Sequence, residues 1–293
     1  MILEDGTGRA YRFSFDIGLD EEGDGKYRTR NDPITPAQRS NITERRGAID
    51  IRCHGVDVIH GFMQKGEDRA TLVVYEFSFD SRKHGRRVER AQIEFLFSSL
   101  GRGKDPEVVK IAHRGRAILC PTTQDEQISA HFDLNIPIGH SGYLGSGRDV
   151  RVSRTTTDAT IVVGSVDLVK RPYGPPNGAS WTLMENASQR TGIPNFFRTA
   201  VLLRRFDDEL FRSAFRIKAK VDFKTSIKHL LGGKPEDDPI IYDPSIRPSN
   251  HLCSFDSANL ELVNLDELGA IQLHQDDLLP SSRILTGTTL QSS

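Results

Sequence analysis

The chain reads as an all-β protein, an antiparallel β-sandwich or barrel-like domain with one short helix, and three observations carry that expectation. Residues 211–224, FRSAFRIKAKVDFK, set Phe211, Phe215, Ile217, Ala219, Val221 and Phe223 against Arg212, Arg216, Lys218, Lys220 and Lys224. That period of two is the signature of a strand with one buried and one solvated face. The same period recurs in Val73, Tyr75, Phe77 and Phe79 and in Ile93, Phe95 and Phe97. Against these stands one helix signal, residues 225–231 closed by Gly232-Gly233, and one short helix cannot cover a sheet.

The elements follow in order. Tyr11, Phe13, Phe15 and Ile17 define a first strand, and residues 20–46, charged and aperiodic, read as a mobile insertion. Strands over 73–79 and 92–97 flank SRKHGRRVER, a hairpin tip carrying Arg82, Lys83, Arg86, Arg87 and Arg90. Shorter strands are expected at 107–111, 116–119 and 131–138, then a Gly/Ser turn at 139–147, then strands at 148–153 and 159–170. RPYGPPNGAS cannot continue a strand and reads as a loop. Strands resume at Trp181 and Leu183, at 198–205 and at 211–224, the last long enough to need a bend near Ser213 or Ala219. Residues 1–250 thus form a single β domain ending in a Pro- and Asp-rich linker, and 251–293 an acidic, partly disordered tail.

Composition narrows the function classes. A chain of 293 residues with 37% hydrophobic and 27% charged residues buries an adequate core without a disulfide or metal staple. A net charge of −1 argues against a nucleic-acid binder. The N-terminal residues lack the apolar run of a secretory signal, and no run approaches the length of a membrane-spanning helix, so the expected location is cytoplasmic. Three widely spaced cysteines, Cys53, Cys120 and Cys253, fit a reduced compartment.

The motifs TTTDAT (155–160), GPPN (174–177), SWTLMEN (180–186), GIP (192–194) and RTAVLLRR (198–205) together make the chain resemble a family of functionally uncharacterised filamentous-fungal proteins. The resemblance runs from about residue 56 to 250 and implies a fungal origin. It brings no catalytic residues with it.

Several residues invite chemistry. His131 and Asp133 stand two apart on a strand and so share a face, as acid–base partners or two ligands of a metal site would; His274 and Asp276 repeat the pattern, and with nine histidines such pairs arise by chance. No metal and no cofactor is expected. Cys53 and His54 are adjacent and therefore face opposite sides of a strand, with His60 further along it. GHSGYLGSGR offers four glycines and Arg148 to an anion, although neither phosphate-loop fingerprint is present. The basic face of Arg216, Lys218 and Lys220 is a second anion candidate; it is also what a solvated strand carries, and the acidic tail is a third possible occupant. Trp181 fits the end of a core better than a ligand pocket.

The leading expectation is a non-catalytic β-sandwich module that binds a small-molecule or protein partner, with no nucleic acid and no membrane. One alternative is a cofactor-independent acid–base enzyme of fungal specialised metabolism using His131 and Asp133 in a β-lined pocket. The other is a membrane-active protein using the Gly/Ser hairpin, whose flanking strands alternate as those of β pore-forming proteins do.

Overall fold

The computed structural model describes residues 28–46, 49–81, 86–138, 142–167, 174–221 and 237–273, with the backbone alone over most of 120–156. In chain order the strands are β1 (Asn41–Arg45), β2 (Ile49–Phe62), β3 (Arg69–Ser81), β4 (Val88–Ser99), β5 (Glu107–Ile111), β6 (Gly115–Ile138), β7 (Gly142–Asp167), β8 (Gly178–Met184), β9 (Phe196–Arg205), β10 (Phe211–Val221), β11 (Ile240–Tyr242) and β12 (Ala270–Gln272). A 3₁₀ turn at Leu260–Leu262 and a single-turn helix α1 (Leu265–Leu268) precede β12. Among the described residues these strands pair antiparallel throughout, in two six-stranded sheets, and Ala37 adds an isolated parallel bridge to Ile241 of β11. The first runs β1-β2-β3-β9-β12, with β5 sharing the free edge of β9; the second runs β11-β10-β4-β8-β7-β6.

The sheets pack as a sandwich because their facing positions are aromatic. Tyr75 stacks on Phe95 with ring centroids 4.1 Å apart, and Phe77, Phe197, Phe215 and Trp181 close around them. Each such ring buries a large apolar area in the core between the sheets. Tyr75 and Tyr242, both fully buried, satisfy their hydroxyls on each other at 2.6 Å, and Tyr242 reaches Ser213 as well. Trp181 is core, completely buried, its Nε1 donating to the Ala112 carbonyl at 3.0 Å.

The first sheet is buried on both faces. A second apolar cluster of Ile59, Leu72, Val74, Leu202, Leu260 and Leu265 lies on its outer side, where residues 252–268 cover it. This explains the unbroken apolar runs TLVVY in β3 and AVLL in β9, which a one-sided strand would not show. Residues 252–268 of the acidic tail therefore dock on the first sheet, through their leucines.

Other expectations meet the structure as follows. Of the stretch expected to be a mobile insertion, residues 41–45 form β1, and residues before them are held to 237–239: Thr29 N–H donates to Asp237, Asn31 N–H to Asp238, and Arg39 to the Asp238 and Pro239 carbonyls. Strand β10 pairs with β4 in continuous register from Phe211 to Lys220, and the irregularity falls at Lys220/Val221, next to Ala219, one of the two expected bend positions, and not near Ser213. The separate strands expected at 116–119 and 131–138 are one strand, β6, and those at 148–153 and 159–170 belong to one strand, β7. The strand expected at 11–17, the helix at 225–231 and the tail beyond 273 lie outside the described residues. Among those described, no helix is long and apolar enough to cross a membrane.

Candidate functional site

The feature that sets this sandwich apart is the hairpin of β6 and β7. Strand β7 pairs with β8 only over Ile161–Asp167, while its ladder with β6 continues outward to Gly142. Residues 142–160 thus pair with β6 alone among the described residues, so two strands leave the second sheet together. Nineteen residues at about 3.3 Å each span about 60 Å. The ladder's single register shift lies between Leu119 and Thr122, where Pro121 interrupts the donors.

Along this hairpin the sequence changes character. At the base, Ser180 Oγ bonds Asp167 at 2.5 Å and Ser165 Oγ at 2.9 Å, and Asp158 accepts from Ser188, fixing β7 to β8 and the turn after it. Next comes a neck, 122–127 against 153–158, polar at nearly every position and containing most of the TTTDAT motif. Beyond it, Ile128, Ala130, Phe132, Leu134, Ile136 and Ile138 alternate with Ser129, His131, Asp133, Asn135 and Pro137.

The register brings the second strand into phase. Ile128 stands opposite Val152, Ala130 opposite Val150, Ile136 opposite Leu144 and Ile138 opposite Gly142, while Ser129 faces Arg151, His131 faces Asp149 and Asn135 faces Gly145. Directly opposite residues in an antiparallel pair share a face. One face of the distal hairpin is therefore mostly apolar over eleven residues, interrupted on β7 by Gly142, Ser146 and Arg148, and the other, apart from Tyr143 and Pro137, carries no large apolar residue. Arg148, opposite Phe132, is the one charge at an apolar-face position.

The sequence candidates divide accordingly. His131 and Asp133 do share a face, on the distal hairpin and not in a pocket between sheets. Seven residues of the Gly139–Arg148 segment, a candidate anion cradle, lie in β7, where the ladder to β6 engages backbone groups that a cradle would leave open. Arg216, Lys218 and Lys220 stand opposite Glu94, Gln92 and Arg90 on the second sheet, and Lys220 Nζ is 2.6 Å from Glu89. They are far along the chain from Arg148 and do not converge with it in any described pairing.

Three buried titratable groups of the first sheet are held by packing and hydrogen bonds. Cys53 is fully buried and burial pushes its thiol well above the usual range, the opposite of an activated nucleophile. His60 is buried; its Nε2 lies 2.6 Å from the Gln38 amide nitrogen and its Nδ1 2.9 Å from Thr71 Oγ1. Asp57, wholly buried, accepts from Ser249 Oγ, His251 N–H and Leu252 N–H. Among the described residues no three His, Cys, Asp or Glu converge as metal ligands. An open groove lined by Lys110, Ile111, Arg114 and residues 263–266 lies beside α1.

The Gly/Ser turn and its alternating flanking strands marked the tip of this hairpin in the sequence, but not its length, because the neck residues 122–127 and 153–158 are uniformly polar and show no alternation. The signal for its length was the scarcity of breakers: between Gly115 and Ile138 only Pro121 and Pro137 interrupt a run rich in Ile and Thr.

No protein-family model matches the chain, and no curated protein matches it by sequence. Among solved structures, the chain is similar to the membrane-inserted form of the Clostridium perfringens NetB toxin, over 68% of this chain and 86% of that one, with 7% identity and a TM-score of 0.27. Overlap that loose assigns neither a shared fold nor a shared activity.

Proposed function

We propose that the β6–β7 hairpin crosses a lipid bilayer and that the protein permeabilises membranes. The observation that carries this is the in-phase band of 128–138 and 142–152 on a hairpin that extends beyond the rest of its sheet. Eleven residues tilted about 45° rise about 26 Å, which matches the apolar height of a membrane-spanning strand. In hydrocarbon the outer edge of β6 and the outer edge of β7 each need a hydrogen-bonding partner, because only closed barrels leave no strand edge exposed to lipid. Copies of this chain supply it, the β6 edge of one joining the β7 edge of the next in a head-to-tail ring.

The test is release of an entrapped dye from vesicles of several lipid compositions by the full chain. Release is expected, and Leu134→Asp, which puts a charge at the centre of the apolar band, abolishes it while leaving the circular dichroism of the sandwich intact. Absence of both vesicle association and release across all compositions overturns the reading.

A second reading, partner binding through loops, is favoured by one observation at the opposite pole. Leu100 and Leu210 are joined by a 3.1 Å backbone hydrogen bond and are 43% and 44% exposed, and Phe206, 40% exposed, lies beneath Lys104 at 5.1 Å. These side chains belong to the β4–β5 and β9–β10 loops, which meet away from the hairpin. Loops grouped at one end of a sandwich are common recognition surfaces. Pull-down with Phe206→Ser/Leu210→Ser beside the wild type decides it: a partner held equally by both removes this surface from consideration.

A further inference from the structure

We propose that the conduit enclosed by such a ring passes cations in preference to anions. The inference rests on the membrane-crossing reading and concerns the polar face of the same hairpin.

Three successive cross-strand pairs on that face carry its charges. From the body towards the tip they are Ser129 opposite Arg151, His131 opposite Asp149, and Asp133 opposite Gly147. The pairs on either side, Gln127 with Ser153 and Asn135 with Gly145, are neutral. With histidine neutral, each copy brings two acids and one base to this face of the eleven-residue span, an excess of one negative charge.

Symmetry multiplies this pattern. A ring of copies turns each cross-strand pair into a ring of like residues, so Asp149 and Asp133 become two adjoining acidic levels and Arg151 one basic level nearer the body. Water-filled passages between low-dielectric walls focus such fields, and rings of carboxylates favour cations. Arg148 belongs to the opposite face, the one that meets lipid, so it is not part of the lining. The pattern assigns a role to His131 and Asp133 that does not require a pocket. The acids are positioned by register alone, since a slip of one residue would move Asp133 and Asp149 to the apolar face.

The experiment is current recording from the full chain in planar bilayers of zwitterionic lipid under a potassium chloride gradient. Neutral lipid keeps headgroup charge from contributing to selectivity. The wild type is expected to reverse at a potential of the sign set by potassium, with a potassium-to-chloride permeability ratio above unity. Asp133→Asn brings the ratio towards unity. Asp133→Asn/Asp149→Asn, which leaves Arg151 as the charged level, inverts it, and Arg151→Gln alone raises it. Conductance that is anion-selective in the wild type, or a ratio unmoved by these variants, overturns the cation preference while leaving the membrane reading standing. No conductance from the wild type in any recording overturns both.

Discussion

Gly164 and Trp181 stand directly opposite each other on β7 and β8, and the missing side chain at Gly164 is what lets the indole and the β5–β6 turn close over the hairpin's base. A Cβ built there would fall 2.1 Å from the His113 carbonyl oxygen and 2.9 Å from the indole. The turn it would displace is already constrained, with His113 at φ 54° and Ala112 accepting from the indole N–H. Gly164→Ala is expected to cost about 1–3 kcal/mol by overpacking. Trp181 is the single tryptophan of the chain, so its fluorescence in a denaturant titration reads this site directly. Gly55→Ala, whose added carbon would meet its nearest neighbour at an ordinary 3.5 Å, is the matched control and should cost less.

Arg148 sets the efficiency of insertion. It is the only charged residue at the apolar-face positions of the band, close to the middle of 142–152. An arginine on the lipid face costs about 2–4 kcal/mol at the bilayer midplane. Arg148→Leu is therefore expected to lower the protein concentration giving half-maximal dye release by about tenfold or more. An unchanged midpoint would mean that position 148 does not face lipid, and the alternation would have to be reassigned.

How much of this was legible beforehand depended on whether burial leaves a pattern. Val73, Tyr75, Phe77 and Phe79 and, in the opposite sheet, Ile93, Phe95 and Phe97 announce themselves because these alternate residues all point into the core between the sheets. The β-sandwich class followed from them. Residues 122–127 and 153–158 were opaque for the converse reason, since a run that is polar at every position has no period to read. Gly142, Gly145 and Gly147 misled in a different way: their composition argues for a turn, yet the ladder carries the strand through them and leaves residues 139–141 to join the two strands. Leucines after residue 250 were recognisable as docking groups, but not that they cover the first sheet, because β3 and β9 owe their continuous apolar runs to that same cover.

His60 makes stability depend on acidity. Burial, with the Arg205 guanidinium nearby, lowers its pKa to about 4 from an ordinary value near 6.5. A folded-state value below the unfolded one means that the unfolded chain takes up the proton first. The contribution of the neutral ring is thus complete above pH 6.5 and is lost as the pH falls towards 4, amounting to about 3 kcal/mol across that window. Urea midpoints measured between pH 7.5 and 4 should fall accordingly. His60→Gln should flatten the part of the slope that lies below 6.5, and an unaltered slope would assign the acid sensitivity to other groups.

Asp57 anchors the segment that leads from β11 back to the first sheet. Its carboxylate is completely buried at the register break of β2, where Oδ1 accepts from Ser249 Oγ at 2.6 Å and from His251 N–H at 2.6 Å, and Oδ2 accepts from Leu252 N–H at 2.9 Å. Val58 N–H donates to the same Ser249 hydroxyl at 3.0 Å, so the strand and the segment are tied in both directions. Removing the carboxylate strands two backbone donors and a hydroxyl in a place water does not reach. Asp57→Ala is expected to destabilise the protein by about 3–5 kcal/mol. Asp57→Asn retains the shape but can turn only one oxygen to three donors, and its cost should be smaller. Because residues 252–268 cover the outer side of β3 and β9, loosening their tether should also expose them to protease before the sandwich itself unfolds. Limited proteolysis of Asp57→Asn under native conditions is expected to cut first near residues 249–256; a first cut elsewhere, at wild-type rate, would show that the leucine contacts hold this segment without the carboxylate.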